Sequence, residues 1–229
     1  MSRSSMFTTP NTPIPQVHRA VALGHSVQGR RIWAFEVGDP TSPRRILVVG
    51  CIHGNEPAGI SIAQALARGR AARGTDLWIV PDLNPDGVAA DTRQNADRVD
   101  LNRNFPWQWR PLGAQGTTFD SGPRAFSEPE SRIAERLVLR VRPQVSIWFH
   151  QHLDAVDESG GDVRIERRFA SLVRLPLRRL TRYPGSATGW ENHKLPGTTS
   201  FVVELPAGHV SAGRVGVFTR AIRSLGAPR

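Results

Sequence analysis

A few short stretches concentrate side chains able to bind a metal or move a proton. His53-Gly54-Asn55-Glu56 sets an imidazole and a carboxylate three residues apart. On a strand-to-helix turn, the two can converge on one cation. Imidazole nitrogen with carboxylate oxygen suits Zn²⁺, whose catalytic sites take three protein ligands and leave a position open. Trp148-Phe149-His150-Gln151-His152 offers candidates for a third ligand. Strand alternation puts His150 and His152 on one face and does not choose between them, although His150 is nearer the strand and better constrained. Glu204 interrupts the apolar run Phe201-Val202-Val203-Glu204-Leu205. A carboxylate there is costly unless paired or functional, so it reads either as a general base or as half of a buried pair with arginine. Asp100-Leu101-Asn102-Arg103-Asn104-Phe105 follows a loop containing Arg93. Guanidinium and amide donors side by side fit a carboxylate, which makes this stretch a clamp for an anionic substrate group or a loop-stabilising network.

These residues need rigid elements behind them. Arg45 to Cys51 is β-branched and apolar on both faces, as buried parallel strands are. Pro57 to Arg70 then has helical spacing with proline suited to the first turn. Asp76 to Pro81, Val145 to Phe149 and Thr199 to Leu205 read as three more strands, and Ser211 to Leu225 as a closing helix. Asn84-Pro85-Asp86-Gly87 reads as a turn, and Ser127-Glu128-Pro129-Glu130 as a capping box opening a helix to about Val141. About 20 residues from Trp107 to Phe126 show no periodicity, and a loop that long in a compact domain is usually functional. Alternating strands and helices predict an α/β fold, a three-layer sandwich whose mostly parallel (mixed) central sheet is flanked by helices. In such sheets ligands bind beyond the carboxyl ends of the strands, where the polar stretches fall.

Composition bounds the class. The 229 residues suit a single domain over 17–229 behind a Ser/Thr/Pro-rich tail at 1–16. No apolar run approaches the ~20 residues of a membrane span, and no leader is visible, so the chain as written reads as cytoplasmic. Removal of a leader would make it exported. A lone cysteine, Cys51, excludes an internal disulfide. Lys+Arg is 30 against 20 Asp+Glu, a net charge of +10, and all but one of these cations are arginine. That excess suits anionic partners, but no zinc-finger, homeodomain, RRM-like or KH-like pattern appears, so no specific nucleic-acid partner is expected.

In order, His-x-x-Glu, Asn-Pro-Asp-Gly, Asp-Leu-Asn-Arg-Asn-Phe, Gly-Pro-x-Ala-Phe-Ser-Glu-Pro-Glu, strand-His and strand-Glu resemble the zinc carboxypeptidase family. The resemblance runs from about Gly29 to Gly208. It implies a zinc carboxypeptidase-like sandwich with one Zn²⁺ per chain, bound by His53, Glu56 and His150, and Glu204 as general base. It further implies that Arg93 polarises the scissile carbonyl and that Asn102 and Arg103 hold the substrate's free carboxylate. Tyr183 falls near the family's substrate-capping tyrosine. Arg98 replaces a residue that is often small in this loop, which would alter access to the pocket. The compact chain and short Arg93-to-Asn102 loop look most like bacterial murein peptide amidases, implying a small peptide substrate, muropeptides included, of the γ-D-Glu–diaminopimelate type. Two rivals remain at this point: an N-acyl amino acid deacylase resembling succinylglutamate desuccinylase or aspartoacylase, and a non-catalytic basic binding protein.

Overall fold

A computed structural model describes residues 17–226. The tail expected at 1–16 lies outside the described residues. Among the described residues eight strands form one sheet: β1 (Val17–His25), β2 (Arg31–Gly38), β3 (Arg45–Val49), β4 (Asp76–Val80), β5 (Val145–Gln151), β6 (Ala155–Asp157), β7 (Leu177–Arg178) and β8 (Thr199–Leu205). Their order is β1-β2-β4-β3-β5-β8-β6-β7. The four central strands, β4-β3-β5-β8, are mutually parallel; β1, β2 and β6 add antiparallel pairings at the margins. The expected mixed α/β sandwich is therefore present, and its parallel part is the set of four strands legible in the sequence.

Helices α1 (Ala58–Ala67), α4 (Val163–Val173) and α6 (Ala212–Gly226) cover one face, and α3 (Pro129–Val141) and α5 (Ala187–Lys194) the other. Strand alternation sorts the core accordingly. Ile46, Val48, Ile147 and Phe149 pack with Ile62, Phe169 and Phe218, whereas Leu47, Val49 and Trp148 pack with Ile133, Leu137 and Trp190. His150 and Glu204 continue the second alternation one step beyond Trp148 and Val202, and the parallel register sets them directly opposite each other.

Two local expectations are corrected. Asn84-Pro85-Asp86-Gly87 is not merely a turn: Asn84 caps the short helix α2 (Pro85–Ala90), its side chain accepting from the Gly87 N–H. The signals that mark a turn also start a helix when proline occupies N1. The capping box at Ser127–Glu130 does not form either. The N-cap of α3 is Glu128, without a side-chain cap bond, and Glu130 instead accepts from Val27 N–H and Asn95 Nδ2. Long-range partners outbid the local one.

The 107–126 segment has no regular structure but is firmly tied. Asn104 Nδ2 donates to the Ser121 and Arg124 carbonyls and to Ser127 Oγ, while its Oδ1 accepts from Ser131 at the start of α3. The turn carrying His53 is tied both by hydrogen bonds, Asn55 N–H donating to the Thr92 carbonyl and Asn84 Nδ2 to the Ile52 carbonyl, and by close contact. A Cβ built on Gly54 would lie 1.9 Å from the Gly87 carbonyl carbon in α2. Backbone meets backbone, so no side-chain rotation relieves the clash. Gly54→Ala is expected to cost about 1–3 kcal/mol of stability, the usual penalty of overpacking. Chemical denaturation checks this, and an unchanged midpoint would mean that the turn is free to move.

Candidate metal centre and its cavity

His53 stands just past β3, Glu56 just before α1 and His150 near the end of β5. All three are buried, and their ligand atoms meet. His53 Nδ1 and His150 Nδ1 are 3.0 Å apart, and Glu56 Oε2 lies 3.1 Å from the first and 2.9 Å from the second. Three N, N, O donors at these spacings suit one tetrahedral ion with bonds of about 2.0–2.2 Å. His152, which alternation left level with His150, does not join them. β5 ends at Gln151, and His152 is exposed on the cavity wall.

Asp100, which the sequence showed only as part of a motif, orients this cluster. Buried completely, its Oδ1 accepts from His53 Nε2 at 2.9 Å, and that bond leaves the Nδ1 lone pair for the cluster. Arg93 closes the other side. Its Nη1 donates to Glu56 Oε1 at 2.8 Å and its Nε to Asp100 Oδ2 at 3.0 Å. Burial would raise the Asp100 carboxyl, but His53, Arg93 and Arg103 outweigh it and hold the group well below the usual carboxylate range. Glu56 follows the same pattern: burial opposes ionisation, and the two imidazoles overcome it. Burial alone would lower His53; Asp100 and Glu56 raise it instead.

Gln151 was also missed. Its Oε1 accepts from Ala58 N–H, supplying the cap that Pro57 does not give α1, and its Nε2 donates to the Pro206 and Gly208 carbonyls. One amide thus links the ends of β5 and β8 to the helix that follows Glu56. Nothing in the local pattern marks this role, because all of its partners are far away in sequence.

His53, Glu56, His150, Arg93 and Gln151 line a cavity of about 720 Å³, which Glu204 also faces. Glu204 Oε2 is buried with no hydrogen-bond partner. The reading of Glu204 as half of a buried arginine pair is thus not realised among the described ion pairs. Asn102 Oδ1 accepts from Ala187 N–H at the start of α5, leaving the amide NH₂ as the free donor end. Arg103 is buried, stacks 4.2 Å beneath the Tyr183 ring, and keeps an unpartnered Nε. Tyr183 is half-exposed and also stacks on Phe119, which the 107–126 loop delivers to the cavity. Arg98 does not reach this space. It donates to the Gly116 carbonyl and steadies the loop, so the expected effect on pocket access is not direct.

Residues 5–156 match the zinc carboxypeptidase family (Peptidase_M14). The chain belongs to that family. The matched span holds His53, Glu56, Arg93, Asn102, Arg103 and His150, whereas Tyr183 and Glu204 lie beyond it. Murein peptide amidase A from Vibrio campbellii is 30% identical over 213 residues, covering 84% of each chain. Carboxypeptidase SOL1 from Arabidopsis thaliana is 32% identical over 113 residues, and that match spans 42% of this chain but only 23% of the plant protein. The crystal structure of murein-tripeptide amidase MpaA from Escherichia coli O157 superposes with a TM-score of 0.73, 24% identity and coverage of 98% of this chain and 100% of that one. As a family member the chain is a zinc-dependent hydrolase, which settles the rivalry with a non-catalytic binding protein in favour of an enzyme. No helix among the described residues is long and apolar enough to cross a membrane.

Asp100→Asn removes the charge behind His53 while keeping an acceptor of similar shape. Zinc affinity, measured by chelator competition, is expected to fall about 10- to 100-fold with the fold intact. Unchanged affinity would remove Asp100 from the support of the cluster.

Proposed function

We propose that the enzyme hydrolyses the amide bond preceding a residue with a free α-carboxylate, in peptidoglycan-derived peptides of the γ-D-Glu–diaminopimelate type. The observation that carries the reading is the unpartnered Glu204 carboxylate oxygen, set beside the His53–Glu56–His150 cluster in the cavity that Arg103 and Asn102 also line. His53, Glu56 and His150 would hold the zinc. When bound, the ion supplies Lewis-acid polarisation of the scissile carbonyl and acidifies the attacking water.

The chain's own residues do the rest. Glu204 takes a proton from the attacking water and returns it to the leaving amine. Its position opposite His150, one strand spacing away, holds it close to the reacting atoms without making it a ligand. Arg93 reaches the cluster with one nitrogen on Glu56 and another on Asp100, and its remaining N–H groups stabilise negative charge developing on the carbonyl oxygen. The Arg103 guanidinium and the Asn102 NH₂ bind the substrate's α-carboxylate, which orients the bond to be cut. Tyr183 covers Arg103 and shields that pairing from water. The peptidoglycan assignment is supported by the Vibrio relative, which matches along most of both chains. The +10 charge also favours anionic peptides.

Glu204→Gln is expected to retain zinc and to lose about 10²- to 10⁴-fold in turnover, the usual worth of a positioned acid–base group. Full activity in the variant would remove Glu204 from the chemistry. The substrate reading is tested by incubating zinc-reconstituted enzyme with L-Ala-γ-D-Glu-diaminopimelate, with a chelator control and an ordinary L-peptide alongside. Release of diaminopimelate that the chelator abolishes, with the L-peptide spared, is the expected result. Cleavage of the L-peptide alone would overturn the substrate class, and cleavage of N-acyl amino acids instead of either peptide would place the chain with the deacylases.

A further inference from the structure

Away from the metal cluster, the cavity wall is formed by the end of β6, the turn that follows it and the segment after β7, and it carries Asp157, Ser159 and Arg182. Ser159 is buried and fixed at every polar atom. Its N–H donates to Glu166 Oε1, its Oγ accepts from Val202 N–H, and its carbonyl accepts from Asn192 Nδ2. Two opposite charges are anchored on this residue. Asp157 Oδ2 accepts from Ser159 Oγ at 2.6 Å, and Oδ1 accepts from Leu180 N–H at 2.9 Å. Arg182 Nη1 donates to the Ser159 carbonyl at 2.7 Å and Nη2 to the Glu158 carbonyl at 2.7 Å. Gly160, with φ of +100°, makes room for that guanidinium, since a Cβ there would lie 2.5 Å from Nη1.

Neither charge has a counter-ion. Among the described ion pairs, neither Asp157 nor Arg182 takes part, and they do not pair with each other. Each Asp157 oxygen accepts one bond and has a further lone pair, and Arg182 has N–H donors beyond the two committed to carbonyls. A rigid anion and a rigid cation, held on one residue and facing the cavity that holds the reaction, are built to meet a ligand carrying both charges.

We infer that this wall recognises a zwitterion, the ammonium and carboxylate at the far end of the substrate's side chain. This rests on the reading that Arg103 and Asn102 hold the α-carboxylate of that same residue. The substrate residue then has an amino-acid centre at each end: the near one is read by Arg103 and Asn102, the far one by Asp157 and Arg182. Diaminopimelate has this form. A lysine side chain brings only the ammonium and leaves Arg182 facing nothing, and an apolar side chain leaves both charges unmatched. Sites built to pair a polar group reject analogues lacking it, because the site's own groups are left without partners.

The test uses the zinc-loaded chain and three γ-D-glutamyl peptides that differ in the residue after the scissile bond: diaminopimelate, 2-aminopimelate, which lacks the far ammonium, and lysine, which lacks the far carboxylate. The unmodified enzyme is expected to prefer the diaminopimelate peptide by about tenfold or more in kcat/KM over each analogue. Asp157→Asn keeps an acceptor for Leu180 N–H and is expected to lower kcat/KM on the diaminopimelate and lysine peptides while sparing the 2-aminopimelate peptide. Arg182→Gln is expected to spare the lysine peptide and penalise the other two. A merely structural role would reduce all three equally, and that result overturns the inference. Equal kcat/KM of the unmodified enzyme on all three peptides overturns it too, while leaving the proposed amide hydrolysis standing. No cleavage of any of the three overturns both.

Discussion

Two carboxylates, Glu56 and Asp100, are buried on the same two partners, His53 and Arg93, and the rest of the site is arranged around the need to neutralise them. An unpaired ionised carboxylate in such a place costs several kcal/mol even after relaxation. Here the charges close into a ring. Glu56 meets His53, the other nitrogen of that imidazole meets Asp100, and Arg93 returns from Asp100 to Glu56. Each group in the ring fixes its neighbours, so the strand-to-helix turn, the Arg93 loop and the 100–104 turn have one shared arrangement. Removing one member strands a buried charge instead of merely deleting a contact.

The parallel sheet supplies what the ring cannot, a carboxylate at a fixed distance outside the ring, Glu204, the group proposed here as proton acceptor. In register, β5 and β8 set His150 opposite Glu204 on the face that also holds Trp148. A one-residue slip of either strand would turn its functional side chain to the other face. Burial of the residues alternating with them, Phe149, Val203 and Leu205, is what forbids the slip. Core packing and catalytic geometry are therefore settled by the same register.

How much of this was legible in the sequence depended on where the determining contacts lie. The four central strands were readable because burial on both faces writes continuous apolar runs, as in Ile46–Val49 and Ile147–Phe149. β1 and β2 were not, since they lie at the sheet margin and mix arginine and histidine with apolar residues. β6 and β7, at three and two residues, are too short to show a period. The arginine-rich text from 164 to 168 obscured α4, although Phe169, Ala170 and Val173 face the core. His150 and Glu204 stood out because each is a chemically costly residue near a strand end, and His53 and Glu56 because they sit three apart on a strand-to-helix turn. Asp100, Gln151, Asp157 and Arg182 did not, because their importance lies in partners 20 to 100 positions away.

The two walls of the cavity are built by different means. One rests on the central strands and on a Gly54–Gly87 contact of main chain against main chain. The other hangs on β6 and β7, the shortest strands in the sheet, at its outer edge. Sequence change would disturb the two unequally: the short marginal strands β6 and β7 contribute few core residues, whereas the central strands contribute to both halves of the core. On the roles proposed here, the fold thus separates what is done from what it is done to. A lineage can exchange its recognition edge and inherit the reaction unaltered.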